Sequence, residues 1–238
     1  MNRLSLLAIL WSLWACGREA PPPPPQNKTL AAVETKRMAL PADSMPVFRP
    51  RFDYDTTRWL DLADLDPTIL LDIRYATTNN FVIQKMYDCP RCLLRPEVAR
   101  AIVRAHRELQ KKGLGLKMFD CYRPRPVQQK LWDKLPDPHY VANPQKGSMH
   151  NRGVAVDLTI VDKNGRELNM GTPFDYFGEK AHSDYAGFPD SILANRRLLK
   201  KTMYRAGFKP IRTEWWHYSW LIKKYPISDM LWHCEETE

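Results

Sequence analysis

The apolar and polar positions of this chain follow two different periods in short alternating segments. Leu71, Ile73 and Tyr75 recur at every second residue within 70–75, which predicts a strand. Pro96 and Glu97 open a helix where proline is tolerated, and Gly113 closes it. Residues 115–122 read as another strand and 126–135 as another helix. Val154, Val156, Leu158 and Ile160 alternate with Ala155, Asp157 and Thr159, the pattern of a half-buried strand with one polar face. Residues 192–206 form a basic amphipathic helix ended by Gly207, and 214–222 are aromatic and strand-like. Strands and helices mixed without regular βαβ spacing predict an α+β fold, a central antiparallel sheet flanked by helices in a single domain.

Composition narrows the class. A chain of 238 residues with 44% hydrophobic and 26% charged residues fits one globular domain, and eight Trp with ten Tyr argue against disorder. The formal charge of +9 favours anionic surroundings such as a membrane surface or a wall polymer. Nucleic acid ranks lowest as a partner, because no basic run interleaves with stacking aromatics and the N-terminus reads as an export signal. Arg3 precedes an apolar run over 4–15, too short to span a bilayer permanently. Leu13-Trp14-Ala15-Cys16 resembles the lipobox of bacterial lipoproteins, although Trp14 is bulkier than the residue usual there. The expected organisation is a signal peptide over 1–15, a lipidated Cys16 with a tether over 16–45 and a folded domain over 46–238. Pro21–Pro25 would make the tether semi-rigid. Localisation is expected in the bacterial envelope, periplasm-facing or at the outer membrane, with a lipid anchor at Cys16 and no obligate protein partner.

The chemistry concentrates in two places. His150 lies before a turn marked by Asn151-Arg152-Gly153, and Asp157 projects from the polar face of the strand that follows. Far downstream, Glu214 and His217 stand three residues apart. Two imidazoles and one carboxylate are the donor set of a catalytic zinc site, which leaves one position open to water, and the spare Glu214 can take that water's proton. A flat strand would send Glu214 and His217 to opposite faces, so their convergence requires a bulge or a tight turn where the last strand begins. Arg123 precedes Pro124 and is biased towards extended backbone, a guanidinium placed to hold a developing oxyanion.

Ser148-x-His150-x-x-Gly153-x-Ala155-x-Asp157, followed by Glu214-Trp215-Trp216-His217 and preceded by Tyr122-Arg123-Pro124, resembles the VanX-type D-alanyl-D-alanine dipeptidases. Residues 73–81 and 170–175 resemble further signatures of that family, and the likeness covers roughly Asp61 to Tyr225. The resemblance implies one Zn²⁺ per chain on His150, Asp157 and His217, Glu214 as general base and Arg123 as stabiliser of the oxyanion. It implies that Asp175 pairs with the ammonium of a small dipeptide, while Ser148 and Tyr75 contact its other polar groups. The implied reaction is hydrolysis of D-Ala-D-Ala or similar dipeptides in turnover of cell-wall peptides. A zinc D,D-carboxypeptidase or endopeptidase acting on peptidoglycan is the alternative.

Cys89, Cys92, Cys121 and Cys234 suit an oxidising compartment, where disulfides are the default. Four thiols allow three pairings, and the sequence does not choose among them. Cys121, two residues before Arg123, is expected only to pack.

Overall fold

A computed structural model describes residues 54–234. The expected signal peptide, Cys16 and the proline tether lie outside the described residues. The first two short strands are β1 (Leu60–Asp61) and β2 (Leu70–Leu71), with the helical turn α1 (Leu62–Leu65) between them. Next come β3 (Leu93–Leu94), α2 (Pro96–Gln110), β4 (Leu114–Asp120) and α3 (Arg125–Lys134). The chain ends with β5 (Ala155–Asp162), α4 (Asp190–Arg205), β6 (Phe208–Pro210) and β7 (His217–Trp220).

A five-stranded sheet in the order β2-β4-β5-β7-β6 forms the centre, and β1 pairs with β3 in a separate two-stranded sheet. The fold is α+β as expected, with one correction: β2 runs parallel to β4, and only the other pairs of the large sheet are antiparallel. Parallel neighbours need a crossover connection, and α2 supplies it between β2 and β4. The helix earns its place by its stripe: Val98, Ala101, Ile102, Ala105 and Leu109 are all buried. Burying each large aliphatic side chain contributes about 1.5–3 kcal/mol, so packing rather than propensity holds α2. Gly113 ends that helix with φ of +69°, a left-handed turn that glycine adopts without strain.

Two further elements differ from expectation. The strand expected over 70–75 stops at Leu71, and Arg74–Ala76 form a 3₁₀ turn instead. Period-2 spacing is preserved in effect, because Ile73 and Tyr75 are both buried, but the turn delivers Tyr75 to the site rather than along a ladder. The strand expected to be half-buried is β5, and seven of its eight residues are fully buried. Its polar residues Asp157 and Thr159 are covered as thoroughly as its apolar ones. That polar face carries the functional groups rather than solvent-exposed side chains.

Cys89 bonds to Cys234, and Cys92 to Cys121. The CxxC pair is therefore divided between two bridges.

Candidate metal and active site

Three adjacent strands place three ionisable residues in a row across the sheet. Asp157 of β5 lies opposite Asp120 of β4 on one side and opposite His217 of β7 on the other. A bulge between Met118 and Asp120 creates the first of these pairings. Without it, regular antiparallel register would bring Phe119 opposite Asp157; the extra residue re-aims Asp120 instead. His150 joins from the 3₁₀ turn His150–Arg152, which Gly153 closes at φ of +69°. A Cβ at Gly153 would meet the Trp59 ring at 2.3 Å, so both conformation and space require glycine there.

His150 Nε2, Asp157 Oδ1 and His217 Nδ1 converge. The separations are 3.1 Å between the two nitrogens, 3.0 Å from His217 to Asp157 and 3.4 Å from His150 to Asp157. The edge of a tetrahedron with ligand bonds of 2.0–2.1 Å is about 3.3–3.4 Å long, so the triangle is close to the size a four-coordinate zinc requires. The outer nitrogens reinforce this reading. His150 Nδ1 lies 2.7 Å from the Cys121 carbonyl and must donate to it, which directs the Nε2 lone pair into the cluster. His217 Nε2 is engaged by the Ser219 hydroxyl at 3.0 Å. Lone pairs from two imidazoles and a carboxylate thus face one point, an arrangement that a cation relieves. The residues fit the metal.

The charges around the cluster are unusual for buried groups. Burial opposes ionisation of Asp157, but His150 and His217 outweigh it and hold the carboxyl well below the usual carboxylate range. Burial likewise opposes the charge on His150, and Asp157 raises that imidazole above its ordinary value. Arg123 is buried, yet Asp120 overcomes the desolvation and keeps the guanidinium charged. Its Nε and Nη2 donate to Asp120 Oδ2 at 3.0 and 2.7 Å, and Nη1 donates to Gln128 Oε1 at 3.0 Å. Nη2 also stands 3.9 Å from Asp157 Oδ2. The guanidinium lies over the Tyr75 ring at 4.9 Å.

Glu214 approaches as the spacing argument required. A tight bend at Trp215 and Trp216 precedes β7, and it brings Glu214 Oε2 to 3.9 Å from His217 Nδ1. Burial, with Asp157 and Asp175 adding repulsion against the pull of His217 and Arg123, pushes the Glu214 carboxyl up to about 7. Asp175 is held up to about 7 as well, by burial first and then by Asp157. Its backbone takes φ of 58°, a left-handed conformation that Asp tolerates better than most residues. Tyr75 donates its hydroxyl to Asp175 Oδ2 at 3.3 Å. Ser148 accepts from the Asn151 amide at 3.2 Å while its own N–H donates to Asn151 Oδ1 at 2.7 Å.

All eight residues singled out in the sequence line one cavity of about 390 Å³: Glu214, Arg123, His150, Asp157, His217, Ser148, Asp175 and Tyr75. That is near the lower end of the ~300–1,000 Å³ typical of ligand clefts. A second cavity of about 450 Å³ lies between α2 and α4, lined largely by Arg and Lys. No imidazole lines it.

Sequence reasoning missed four contributors: Asp120, Gln128, Ser219 and the Cys121 carbonyl. Ser219 was within reach of it, since two residues beyond His217 on a strand is the same face. Asp120 depends on the bulge, and the Cys121 role is a backbone one that no side-chain motif reports. Cys121 does more than pack: it is bridged to Cys92 and holds His150.

An α+β fold whose sheet presents a His₂Asp cluster beside a raised carboxyl and a buried guanidinium defines a metallopeptidase. The chain belongs to the peptidase M15 family of the D-ala-D-ala dipeptidase type, whose profile matches residues 55–230. A D-alanyl-D-alanine dipeptidase of Escherichia coli (strain K12) is 38% identical over 164 residues, covering 69% of this chain and 85% of the relative. One from Enterococcus faecalis (strain ATCC 700802 / V583) is 32% identical over 176 residues, covering 65% of this chain and 87% of the relative. The LdcB LD-carboxypeptidase shares 18% identity at a TM-score of 0.42, over 71% of this chain and 70% of its own.

Proposed function

We propose that the chain hydrolyses D-alanyl-D-alanine and similar small D-amino-acid dipeptides to free amino acids, with one Zn²⁺ held by His150, Asp157 and His217. The observation that carries this reading is the convergence of those three donors, Glu214 and Arg123 on one small cavity in a member of this family. Zinc bound there would lower the pKa of a bound water towards ~7 and polarise the scissile carbonyl.

The protein's own groups account for the rest. Glu214, with a carboxyl held near neutrality, takes the proton of the attacking water and returns it to the leaving amine. Arg123 has its position fixed by three hydrogen bonds to Asp120 and Gln128. Its remaining N–H groups are free to face the oxyanion as charge develops. Asp175 receives the substrate ammonium, whose positive charge restores the ionised carboxylate that burial disfavours. Tyr75 orients Asp175, and Ser148 contributes a hydroxyl at the cavity wall. A zwitterion with its charges a few bonds apart suits a cavity of this size, and a longer peptide lacks either the ammonium or the room.

The envelope location belongs to the same proposal. The cationic, apolar N-terminal run and the Leu-x-Ala-Cys sequence support export, lipidation at Cys16 and a tethered domain. Among the described residues no helix is long and apolar enough to cross a membrane. An enzyme so placed meets released dipeptide rather than a cytoplasmic precursor, which favours salvage or wall turnover over depletion of that precursor.

Purified protein assayed on free D-Ala-D-Ala and on intact muropeptides tests the activity. Turnover of the free dipeptide is expected. Cleavage of muropeptide alone would replace this reading with a zinc D,D-carboxypeptidase or endopeptidase.

A further inference from the structure

The two disulfides stand in different relations to the site. Cys89–Cys234 ties the C-terminal segment to the loop before β3, and neither cysteine is a sequence neighbour of a residue in the cluster. Cys92–Cys121 closes on the backbone that follows β4, where Asp120 directly precedes Cys121 and Arg123 follows it by two residues. Both of its cysteines are fully buried, and Tyr122 N–H donates to the Leu93 carbonyl at 3.0 Å beside the bridge. The Cys121 carbonyl is the acceptor that fixes the ring of His150, at 2.7 Å from Nδ1. A second tie closes the loop, because the Arg123 N–H donates to the His150 carbonyl at 3.2 Å. A carbonyl cannot be altered by changing its own side chain, so the group that holds its backbone controls its direction.

We propose that the Cys92–Cys121 disulfide is a positioning element of the metal site, setting metal affinity through the Cys121 carbonyl and the ring orientation of His150. The proposal rests on the zinc reading of the cluster. An outer-shell partner of a ligating imidazole fixes its tautomer and direction, and losing one typically weakens metal binding 10–100-fold. The bridge acts one step further out, on the partner's backbone, and touches neither substrate nor metal.

Two double variants of the folded chain separate this role from ordinary stabilisation: Cys92→Ala with Cys121→Ala, and Cys89→Ala with Cys234→Ala. Zinc affinity is measured by competition with a chromophoric chelator, alongside thermal unfolding and the exchange protection of the His150 ring N–H by NMR. Both variants should lose thermal stability. Only the first should lose roughly 10–100-fold in zinc affinity and the protected ring proton, while the second stays within about twofold of wild type. Unchanged affinity in the first variant, or equal losses in both, would overturn the proposal.

If the first variant does not fold, the wild-type holoprotein is titrated with dithiothreitol and its free thiols are mapped. Each bridge then takes two electrons to give two thiols, and the reagent closes to its cyclic disulfide. Zinc release should follow the appearance of Cys92 and Cys121 thiols. Release that follows Cys89 and Cys234, or none on full reduction, would also overturn it. A wild-type chain that binds no zinc would remove the metal site itself, an outcome distinct from equal affinities among variants.

Discussion

Asp157 and His217 face each other directly across the β5–β7 ladder, and their side chains meet at 3.0 Å. The proposed ligand pair is therefore written into strand register. Because side chains alternate with a period of two, a slip of one residue would turn one partner to the opposite face and dismantle the cluster. The packed neighbours Val156, Leu158 and Tyr218, all buried, oppose such a slip. Asp157→Asn keeps the shape and the strand but removes the charge that two imidazoles surround. We expect a folded protein whose zinc affinity falls by roughly 100-fold or more, beyond the 10–100-fold typical of outer partners. Chelator competition and circular dichroism check the two halves of that statement. Wild-type affinity would remove Asp157 from the ligand set.

Glu214 is held by a bend rather than by the ladder, so its side chain can be changed without disturbing β7. Glu214→Gln preserves size and should leave zinc bound and the fold intact. Loss of the proton acceptor should lower kcat by about 10²–10⁴-fold, the usual contribution of a positioned acid–base group. KM should change little, because the role is in proton transfer. Stopped assays on D-Ala-D-Ala with parallel metal analysis decide it, and undiminished turnover would end the general-base assignment.

Arg123 and Asp120 form a buried pair whose separate and joint removal should differ in kind. Arg123→Met strands a fully buried carboxylate beside Asp157, and breaking such a pair typically costs 3–5 kcal/mol. Arg123→Met combined with Asp120→Asn removes both charges and should recover most of that stability. Activity should not recover, because an oxyanion donor is worth ~3–4 kcal/mol of barrier and only the arginine supplies it. Chemical unfolding of the three proteins beside kcat gives the comparison. Activity returning together with stability would make Arg123 a purely structural residue.

These contrasts mark how far the sequence carried. The three clustered donors and Glu214 were legible, because a metal restricts side chains to a few chemistries at revealing spacings, and the i,i+3 spacing of Glu214 and His217 demanded the bend that precedes β7. The helices were legible from Pro96, Gly113 and Gly207, which punctuate them chemically. The parallel pairing and the short length of β2, the β1–β3 pair and β6 were not. Two- and three-residue strands carry too few positions to display a period, and their pairing is decided by long-range register. Asp120 was hidden for a related reason: its approach to Asp157 depends on one extra residue in β4, which no local pattern announces. Of the bulge or tight turn expected at the start of β7, the structure has the tight bend, and the bulge in β4 is a separate feature.

Acid stability offers a test far from the metal. Glu97 in the first turn of α2 accepts from Tyr225 Oη at 2.6 Å and from Lys223 Nζ at 2.9 Å. Burial works against its charge, but those two donors outweigh it and lower the carboxyl from 4.5 to about 2. A depressed folded pKa means that the unfolded chain binds the extra proton first. The stabilisation from Glu97 is thus complete above 4.5 and is lost as pH falls from there to about 2. Its side chain is 34% exposed, so solvent screening limits the effect to the order of 1 kcal/mol. The consequence reaches the site, because the Tyr225 carbonyl accepts from Arg152 Nη1 at 2.8 Å, in the same turn as His150. Glu97→Gln should be less stable than wild type at pH 6 and should converge with it near pH 2, as followed by urea unfolding at several pH values. A constant difference across that range would show that the carboxylate's charge contributes nothing.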